Sequence, residues 1–213
     1  MILTKTDVAN MALAEIGARR ITDYTSDATV ESRACHLHLD HVADTLLRRH
    51  QWNFATARVE LVAASAPLFG EWDAAWTLPA DLVRLIRITS GDVDNPLRSY
   101  AIEGRLLLTK TYTTLGIVYV TNAAPVAAWD SLFVDAVTYK LAATIAADVA
   151  QNPTLQAACL QKLESLALPA AQTADAREVL SGENFGPRQL ASMSGLVNAR
   201  FNGSGRPPYI PTV

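Results

Sequence analysis

The stretch Cys35-His36-Leu37-His38-Leu39-Asp40-His41 carries the only cluster of side chains in this sequence that invites a metal ion. On a helix, Cys35, His38 and His41 would share one face, because residues three apart are neighbours there. A zinc site, however, needs three or four converging ligands with supporting hydrogen bonds. We therefore interpret these residues as helical histidines at a packed surface and predict no metal or other cofactor.

A second possible chemistry is glycoside hydrolysis, because carboxylates lie beside tryptophans near the middle of the chain. Glu71 and Asp73 flank Trp72, and Asp81 follows Trp76. A glycosidase needs two carboxyl groups at a defined separation, one of them with a raised pKa. No motif fixes that separation here. A structural loop is favoured, and cell-wall (peptidoglycan) hydrolysis is kept as the alternative function.

Nucleophilic and nucleotide chemistry have no support in the sequence. It contains no Gly-rich phosphate loop after a strand, no Gly-x-Ser-x-Gly turn and no Cys-x-x-Cys pair. The net charge of −3 and the pI near 5.8 argue against a dedicated nucleic-acid binder, which usually has a basic domain.

Length and composition favour a protein that is made in the cytoplasm without export. The 213 residues, half of them hydrophobic, suffice for one sizeable core or two small domains. Cys35 and Cys159 are predicted to be reduced, buried thiols. We expect a soluble protein, since no apolar run approaches the ~18 residues of a membrane helix and no signal-peptide core is present.

Apolar residues at helical spacing predict four helices, over 7–16, 27–50, 130–150 and 154–179. Thr6 is placed to cap the first, and Pro169 should stop or kink the last. Short β-rich runs predict a small antiparallel sheet inserted at about 57–121. The fold class predicted is therefore mainly α: an antiparallel, up-down helical bundle with a small inserted sheet. This body, residues 1–180, is followed by an extended tail of residues 181–213.

Two blocks are rich in aromatic, amide and helix-stop residues and are predicted to set geometry rather than to react. In the block Arg48-Arg49-His50-Gln51-Trp52-Asn53-Phe54-Ala55, the Trp and the Phe are two apart and cannot share a helix face. A helix should therefore end just before them. In the second block, the proline of Leu78-Pro79-Ala80-Asp81 restricts the preceding residue to extended conformations. The predicted core residues of these blocks are Trp52, Phe54, Leu78 and Pro79.

The second predicted helix carries two apolar stripes, one formed by Val30, Ala34 and Leu37 and the other by Cys35, Leu39, Val42 and Leu46. Two stripes on one helix indicate contacts on two sides. A ring subunit held between neighbours needs such contacts more often than a small monomer does. The residues predicted to pack between subunits are Leu37, Leu39, Val42 and Leu46.

Five segments carry a resemblance to a known family: 10–17, 27–35, 46–55, 78–81 and the Ala-rich stretch ending at 174–176. In this order and spacing they resemble the head-to-tail adaptor proteins of short-tailed bacteriophages, the family often called tail tubular protein A. The resemblance spans roughly residues 2–178. Between Gly91 and Thr121 the chain matches the family only in type.

The resemblance implies a structural virion protein, not an enzyme, located at the head-tail interface. Identical subunits would form a ring, a dodecamer in the family, docked on the portal protein and joined to the tail nozzle protein. Genomic DNA would pass through this connector during ejection without sequence-specific binding. One relative has been credited with cell-wall hydrolysis, which keeps the hydrolase alternative open, and a generic helical binding module of the host is a third possibility.

The tail is predicted to be the portal-docking element, with a bland terminal segment as the alternative. Its Gly and Pro content prevents autonomous folding. Aromatic anchors are enriched at interface hot spots, and arginines can pair with carboxylates of a partner. The predicted portal-binding residues are Phe185, Arg188, Arg200, Phe201, Arg206 and Tyr209.

Overall fold

The computed structural model describes residues 3–64, 72–90, 100–110 and 114–182. Residues 1–175 form one compact unit. Residues 176–213 form a second, of which 176–182, the end of the last helix, are described. The boundary predicted after residue 180 lies a little beyond this division.

The elements follow one another as α1 Lys5–Glu15, α2 Val30–Arg49, β1 Thr56–Glu60, β2 Val62–Ala63, β3 Ala74–Thr77, β4 Leu82–Ser90, β5 Tyr100–Glu103, β6 Leu106–Thr109, β7 Leu115–Thr121, α3 Ser131–Ile145, α4 Pro153–Lys162 and α5 Leu168–Gly182. Short 3₁₀ turns occupy Asn53–Ala55 and Val126–Ala128. Wide π turns extend α3 over Ala146–Ala150 and join α4 to α5 over Leu163–Ala167.

Helix α1 begins one residue after Thr4, not after Thr6 as the sequence suggested. The Thr4 hydroxyl accepts from the Asp7 backbone N–H, and the Asp7 carboxylate accepts in return from the Thr4 backbone N–H at 2.9 Å. This capping box needs an acid or amide three residues after the cap. Thr6 has Ala9 there, which explains the correction. The predicted glycine stop is confirmed, since Gly17 has φ +69°.

Helix α1 thus begins earlier than predicted, whereas helix α2 begins later than predicted, at Val30. Thr29 caps it by accepting from the Ser32 N–H at 3.2 Å. Asp27, expected in the first turn, instead accepts from the N–H groups of Thr22 and Asp23 at 2.6 and 3.1 Å. Its carboxylate closes the loop between the first two helices and is not available to cap the second.

Seven short strands form two antiparallel sheets in the described part of the chain. Sheet A has the order β1-β7-β4, and sheet B the order β2-β3-β6-β5. The central strand β7 alternates between two hydrophobic cores: Val120 belongs to a core shared with the helices, whereas Ile117 and Tyr119 belong to a second core, between the sheets. Sheet A is therefore the middle layer between the helices and sheet B.

Strand β4 serves both cores through two bulges against β7. Val83 and Ile86, the extra residues at the two register shifts, pack against the helical core. Leu82, Leu85 and Ile88 pack against the core between the sheets. Because a bulge adds one unpaired residue, the apolar residues of β4 recur about every third position. This accounts for the incomplete alternation of its sequence.

The break predicted at Asn152-Pro153 is confirmed, since it separates the π turn that extends α3 from helix α4. Gln151 has φ +48°, and Asn152 caps α4 by accepting from the N–H groups of Thr154 and Leu155. The expected stop or kink at Pro169 takes a different form, because the helix continues through it. The Leu168 N–H bonds to the Leu163 carbonyl five residues back, so a wide turn accommodates the proline, which has no N–H of its own.

The mainly α prediction is wrong, because this is an α+β fold. About 53% of the described residues are helical and 22% lie in strands. The inserted region is not a small appendage, since its two sheets enclose a hydrophobic core of their own. The prediction underestimated it because the strands are only two to nine residues long and the longest is bulged.

Candidate assembly surfaces

The block 48–55 forms an internal joint where α2 ends and the first sheet begins. Trp52 is only 1% exposed, as expected from the sequence, and its indole N–H donates to the Leu46 carbonyl at 3.0 Å. Its ring packs edge-on to Phe133 of α3 at 4.9 Å between centroids. Phe54 is half-buried and lies at the same distance from Phe133. These aromatic contacts join α2, the start of β1 and α3.

Polar residues of the same block hold α5. Asp175 is 7% exposed, and its carboxylate accepts from the Asn53 N–H at 2.8 Å and lies 3.1 Å from His50 Nε2. The Asn53 side-chain amide donates to the Asp175 carbonyl at 2.8 Å. A buried carboxylate is tolerable when its lone pairs are satisfied in this way. These contacts explain why an amide and a histidine surround Trp52.

The two adjacent arginines of this block have different partners. Arg49 donates two hydrogen bonds, at 2.6 and 2.9 Å, to Glu164 of the π turn before α5. These bonds lower the pKa of Glu164. Arg48 instead donates to the Val83 carbonyl of β4 at 2.7 Å. One arginine therefore holds two helices together, and the other connects α2 to sheet A.

The turn 78–81 is held to β7 by its acid. The Asp81 carboxylate accepts hydrogen bonds from the hydroxyls of Thr121 and Tyr119, the latter at 3.1 Å. The Thr121 hydrogen bond is the largest influence on Asp81 and holds the pKa of this carboxyl below its ordinary value. Leu78, predicted as core, is 5% exposed, and Pro79 is half-buried.

Two depressions flank this turn. The first, here called the seam groove, has a volume of about 670 Å³, and its lining includes Val59, Val62 and Pro79. The second, here called the arginine slot, has a volume of about 280 Å³. The aliphatic residues of the slot are Leu78, Leu82, Val83, Leu85 and Ile102, and its charged residues are Arg48 and Arg105. Leu78 and Arg105 line both depressions, which are therefore adjacent.

Apolar side chains at these depressions are open to solvent. Val62 is 74% exposed in the seam groove, and Ile102 is 46% exposed in the arginine slot. Val59 is 38% exposed. Exposed apolar side chains that share one depression indicate an interaction site more strongly than scattered ones do.

A second exposed apolar feature lies on α2. Val30 and Leu37 are 63% and 71% exposed, and seven residues separate them, so they lie on one face of the helix two turns apart. Their stripe partner Ala34 is buried. This face, here called the α2 face, also carries polar side chains such as Arg33 and His41.

The four residues predicted to pack between subunits divide into two groups. Leu37 lies on the surface, as described. Leu39, Val42 and Leu46 are at most 2% exposed in the core of the single chain, where they pack with α1 and α3 residues of the helical cluster. The stripe that contains them is thus internal, and only the other stripe has side chains that a neighbouring subunit can reach without rearrangement.

The predicted portal-binding residues lie outside the described residues: Phe185, Arg188, Arg200, Phe201, Arg206 and Tyr209. The same is true of Glu71, one of the three carboxylates considered for hydrolysis. Of the other two, Asp73 is exposed and Asp81 is the hydrogen-bonded carboxylate of the turn. A general acid needs a raised pKa, and that of Asp81 is lowered.

The candidate metal ligands on α2 do not converge. Cys35 is fully buried, and burial raises the pKa of its thiol to about 11. His38 faces Asp148 at 3.9 Å, and His41 is exposed. Within the described ranges no group of three or more His, Cys, Asp or Glu residues is placed to hold a metal ion.

Sequence reasoning missed the partners of the two blocks. Asp175 and Glu164 lie more than a hundred residues from the side chains they bind. Arg105, which donates to the Pro79 carbonyl, also went unnoticed. A weak signal was present for Asp175, since an acid within an Ala-rich helix at an otherwise apolar face is unusual. No local feature of the sequence indicates the roles of Glu164 and Arg105.

Comparison with known proteins leaves the family open. The chain matches no protein-family model and no curated protein. Among the helices that the structure describes, none is both long and apolar enough to cross a membrane.

Proposed function

We propose that this protein is a structural subunit of a bacteriophage head-to-tail connector, the class suggested by the resemblance over residues 2–178. Identical copies would form a closed ring, a dodecamer by that resemblance, which docks on the portal protein and continues into the tail nozzle. Genomic DNA would pass through the ring without sequence-specific binding. In this proposal the chain is not an enzyme and uses no cofactor.

The exposed α2 face is the observation that carries the proposal. Val30 and Leu37 are both more than 60% exposed on a helix whose opposite stripe is fully internal. Complete burial of such a side chain contributes roughly 1.5–3 kcal/mol, so a contact that covers both gives a substantial part of a subunit interface. A ring uses heterologous contacts, in which one surface meets a different surface of the next copy.

Further exposed apolar residues supply surfaces for the other side of such a contact. Leu166, in the π turn before α5, is 64% exposed, and Val62 in the seam groove is 74% exposed. These residues lie on elements other than α2. A subunit with contacts on several sides needs apolar surface on more than one element.

The hydrolase alternative is weakened by the geometry of Asp81. Its carboxylate is occupied by two hydroxyl donors, and its lowered pKa favours the ionised form, which cannot act as a general acid at neutral pH. We therefore assign Asp81 a positioning role in the 78–81 turn and do not develop the hydrolase further.

The test is electron microscopy of the purified full-length protein mixed with the portal protein of the same phage. We expect closed rings seated on portals, and Leu37→Glu should abolish ring formation while leaving the circular dichroism spectrum and melting temperature nearly unchanged. Gln161→Glu, at an exposed position of α4, is the control and should still assemble.

Two results would reject this proposal. Wild-type protein that neither forms rings nor binds portals would remove the connector function. Cleavage of purified peptidoglycan by the wild-type protein, lost in Asp81→Asn, would establish the hydrolase instead. Assembly that survives Leu37→Glu would keep the connector but move the subunit contact away from the α2 face.

A further inference from the structure

We propose that the arginine slot binds a segment of another protein in which a large apolar side chain stands beside a carboxylate. The inference concerns a different surface from the α2 face and does not depend on the ring. It rests on the shape of the slot, on the way its two arginines are held, and on the charge they leave unneutralised.

The apolar part of the site is a preformed gap between the two sheets. Leu82 and Leu85 of β4 form one wall, and Ile102 of β5 lies opposite. Strand β5 is an edge strand of sheet B, which leaves Ile102 46% exposed. At about 280 Å³ the slot has room for about one large side chain. Aliphatic walls of this kind suit a leucine or phenylalanine anchor.

The charged part consists of two guanidinium groups held in place by backbone carbonyls. Arg48 Nη1 donates to the Val83 carbonyl at 2.7 Å, and Arg105 Nη2 donates to the Pro79 carbonyl. An arginine has five N–H donors, so both keep further donors for a ligand. Since one hydrogen bond already restrains each of these exposed side chains, less side-chain entropy is lost when a carboxylate binds.

The charge of these arginines is available to a partner. Within the described part of the chain, none of the five ion pairs includes Arg48 or Arg105. The ionised carboxylate of Asp81 attracts Arg105 and offsets part of its charge, so Arg48 supplies the larger share of the positive charge that faces a ligand. Among the residues that the structure describes, no carboxylate lines the slot, so a ligand with its own carboxylate is complementary to it.

The same lining argues against a nucleic acid. Single-stranded nucleic acids bind to aromatic side chains on which bases stack, combined with a basic groove. The residues lining the slot are aliphatic apart from the arginines and Gly104. A polypeptide anchor uses both parts of the site, whereas a sugar-phosphate chain would use only the charged part.

The test is methyl nuclear magnetic resonance of the full-length protein, titrated with the peptide acetyl-Gly-Asp-Leu-Phe-Asp-Gly-amide. A peptide this short should bind with a Kd of about 0.1–10 mM. We expect shifts centred on the methyl signals of Ile102, Leu82 and Leu85. The counterpart with lysines in place of the aspartates should bind at least tenfold more weakly.

Variants separate the two parts of the site. Arg48→Gln should weaken binding of the acidic peptide severalfold, and Ile102→Ser should weaken both peptides. Arg33→Gln, an exposed arginine of the same helix outside the slot, should change nothing. Circular dichroism of each variant checks that the fold is intact.

Several outcomes would overturn the proposal. Equal affinity for the acidic and basic peptides would show that the arginines do not select the ligand. Stronger shifts of the same signals with a twelve-nucleotide oligothymidylate would assign the slot to phosphates. Shifts that depend on protein concentration without any peptide would identify a second copy as the occupant, and no shift at the highest soluble peptide concentration would leave the slot without this role.

Discussion

The helical part and the sheet part of this protein use neighbouring arginines in opposite ways. Arg49 closes a two-bond ion pair with Glu164, between α2 and the π turn before α5. Arg48, the preceding residue, binds the Val83 carbonyl of β4 and forms no ion pair with a described carboxylate. The charge of Arg49 is therefore neutralised within the fold, whereas that of Arg48 has no such partner among the described residues.

The same difference appears in the apolar residues. The helical core includes the fully buried Phe133 and Trp52, and the half-buried Phe54 and Trp129 pack against it. The core between the sheets is closed in its centre by Leu107 and Leu115 but opens at its edge into the seam groove and the arginine slot. The helical core is therefore closed at this cluster, whereas the core between the sheets opens onto two of the surfaces suited to partners.

The largest effect is expected in the helical core. Trp52→Ala should lower the free energy of unfolding by about 3–5 kcal/mol, because it removes a fully buried side chain, its contact with Phe133 and a hydrogen bond to the Leu46 carbonyl. Chemical denaturation measures this. Trp129→Ala, at the half-buried rim of the same cluster, is the control and should cost clearly less. Equal losses of unfolding free energy in the two variants would show that Trp52 is not the centre of this aromatic cluster.

The sequence predicted the helices better than the sheets, and the reason is physical. Helix caps and stops are local, so Gly17 and Asn152-Pro153 could be read directly. Even there, the first helix is capped by Thr4 and not by the predicted Thr6, because only Thr4 has an acid, Asp7, three residues further on. Strand β4 depends on bulges against β7, which are set by pairing over about thirty residues and leave no simple alternation.

The candidate surfaces were predictable only in part. Spacing alone identified two stripes on α2 but could not tell which of them the chain covers itself. Leu39 and Leu46 are covered by other helices, whereas Leu37 is not. The arginine slot could not be predicted, because Arg48 and Arg105 are brought together by the turn 78–81 and have no shared motif.

An intermediate effect is expected at the turn beside the slot. Asp81→Ala should lower stability at pH 7 by about 1–2 kcal/mol through the loss of hydrogen bonds from Thr121 and Tyr119. Because folding lowers the pKa of Asp81 below its ordinary 3.8, its contribution is present above that pH and is lost as the pH falls through the folded pKa. Thermal melts between pH 2 and 7 should therefore show a shallower acid slope in the variant.

The control for Asp81 is Glu103→Ala, an exposed acid of β5, which should leave stability almost unchanged. If the melting temperatures of Asp81→Ala and the wild type fall equally as the pH is lowered, folding does not lower the pKa of Asp81. In that case the turn would be held by its other contacts, such as the Arg105 hydrogen bond to the Pro79 carbonyl and the packing of Leu78.

The smallest effects distinguish the two arginines. Arg49→Gln should cost at most about 1 kcal/mol, since both partners of its ion pair are about half exposed. Arg48→Gln should cost a similar amount, about 0.5–1.5 kcal/mol, through the bond to the Val83 carbonyl.

The size of the stability loss therefore does not distinguish the two variants, but its dependence on salt concentration should. Raising sodium chloride from 0.05 to 1 M screens an exposed ion pair, so the cost of Arg49→Gln should shrink. That of Arg48→Gln should stay constant, because its acceptor is uncharged. A salt-dependent cost at Arg48 would reveal a carboxylate partner and remove the open charge on which the slot depends.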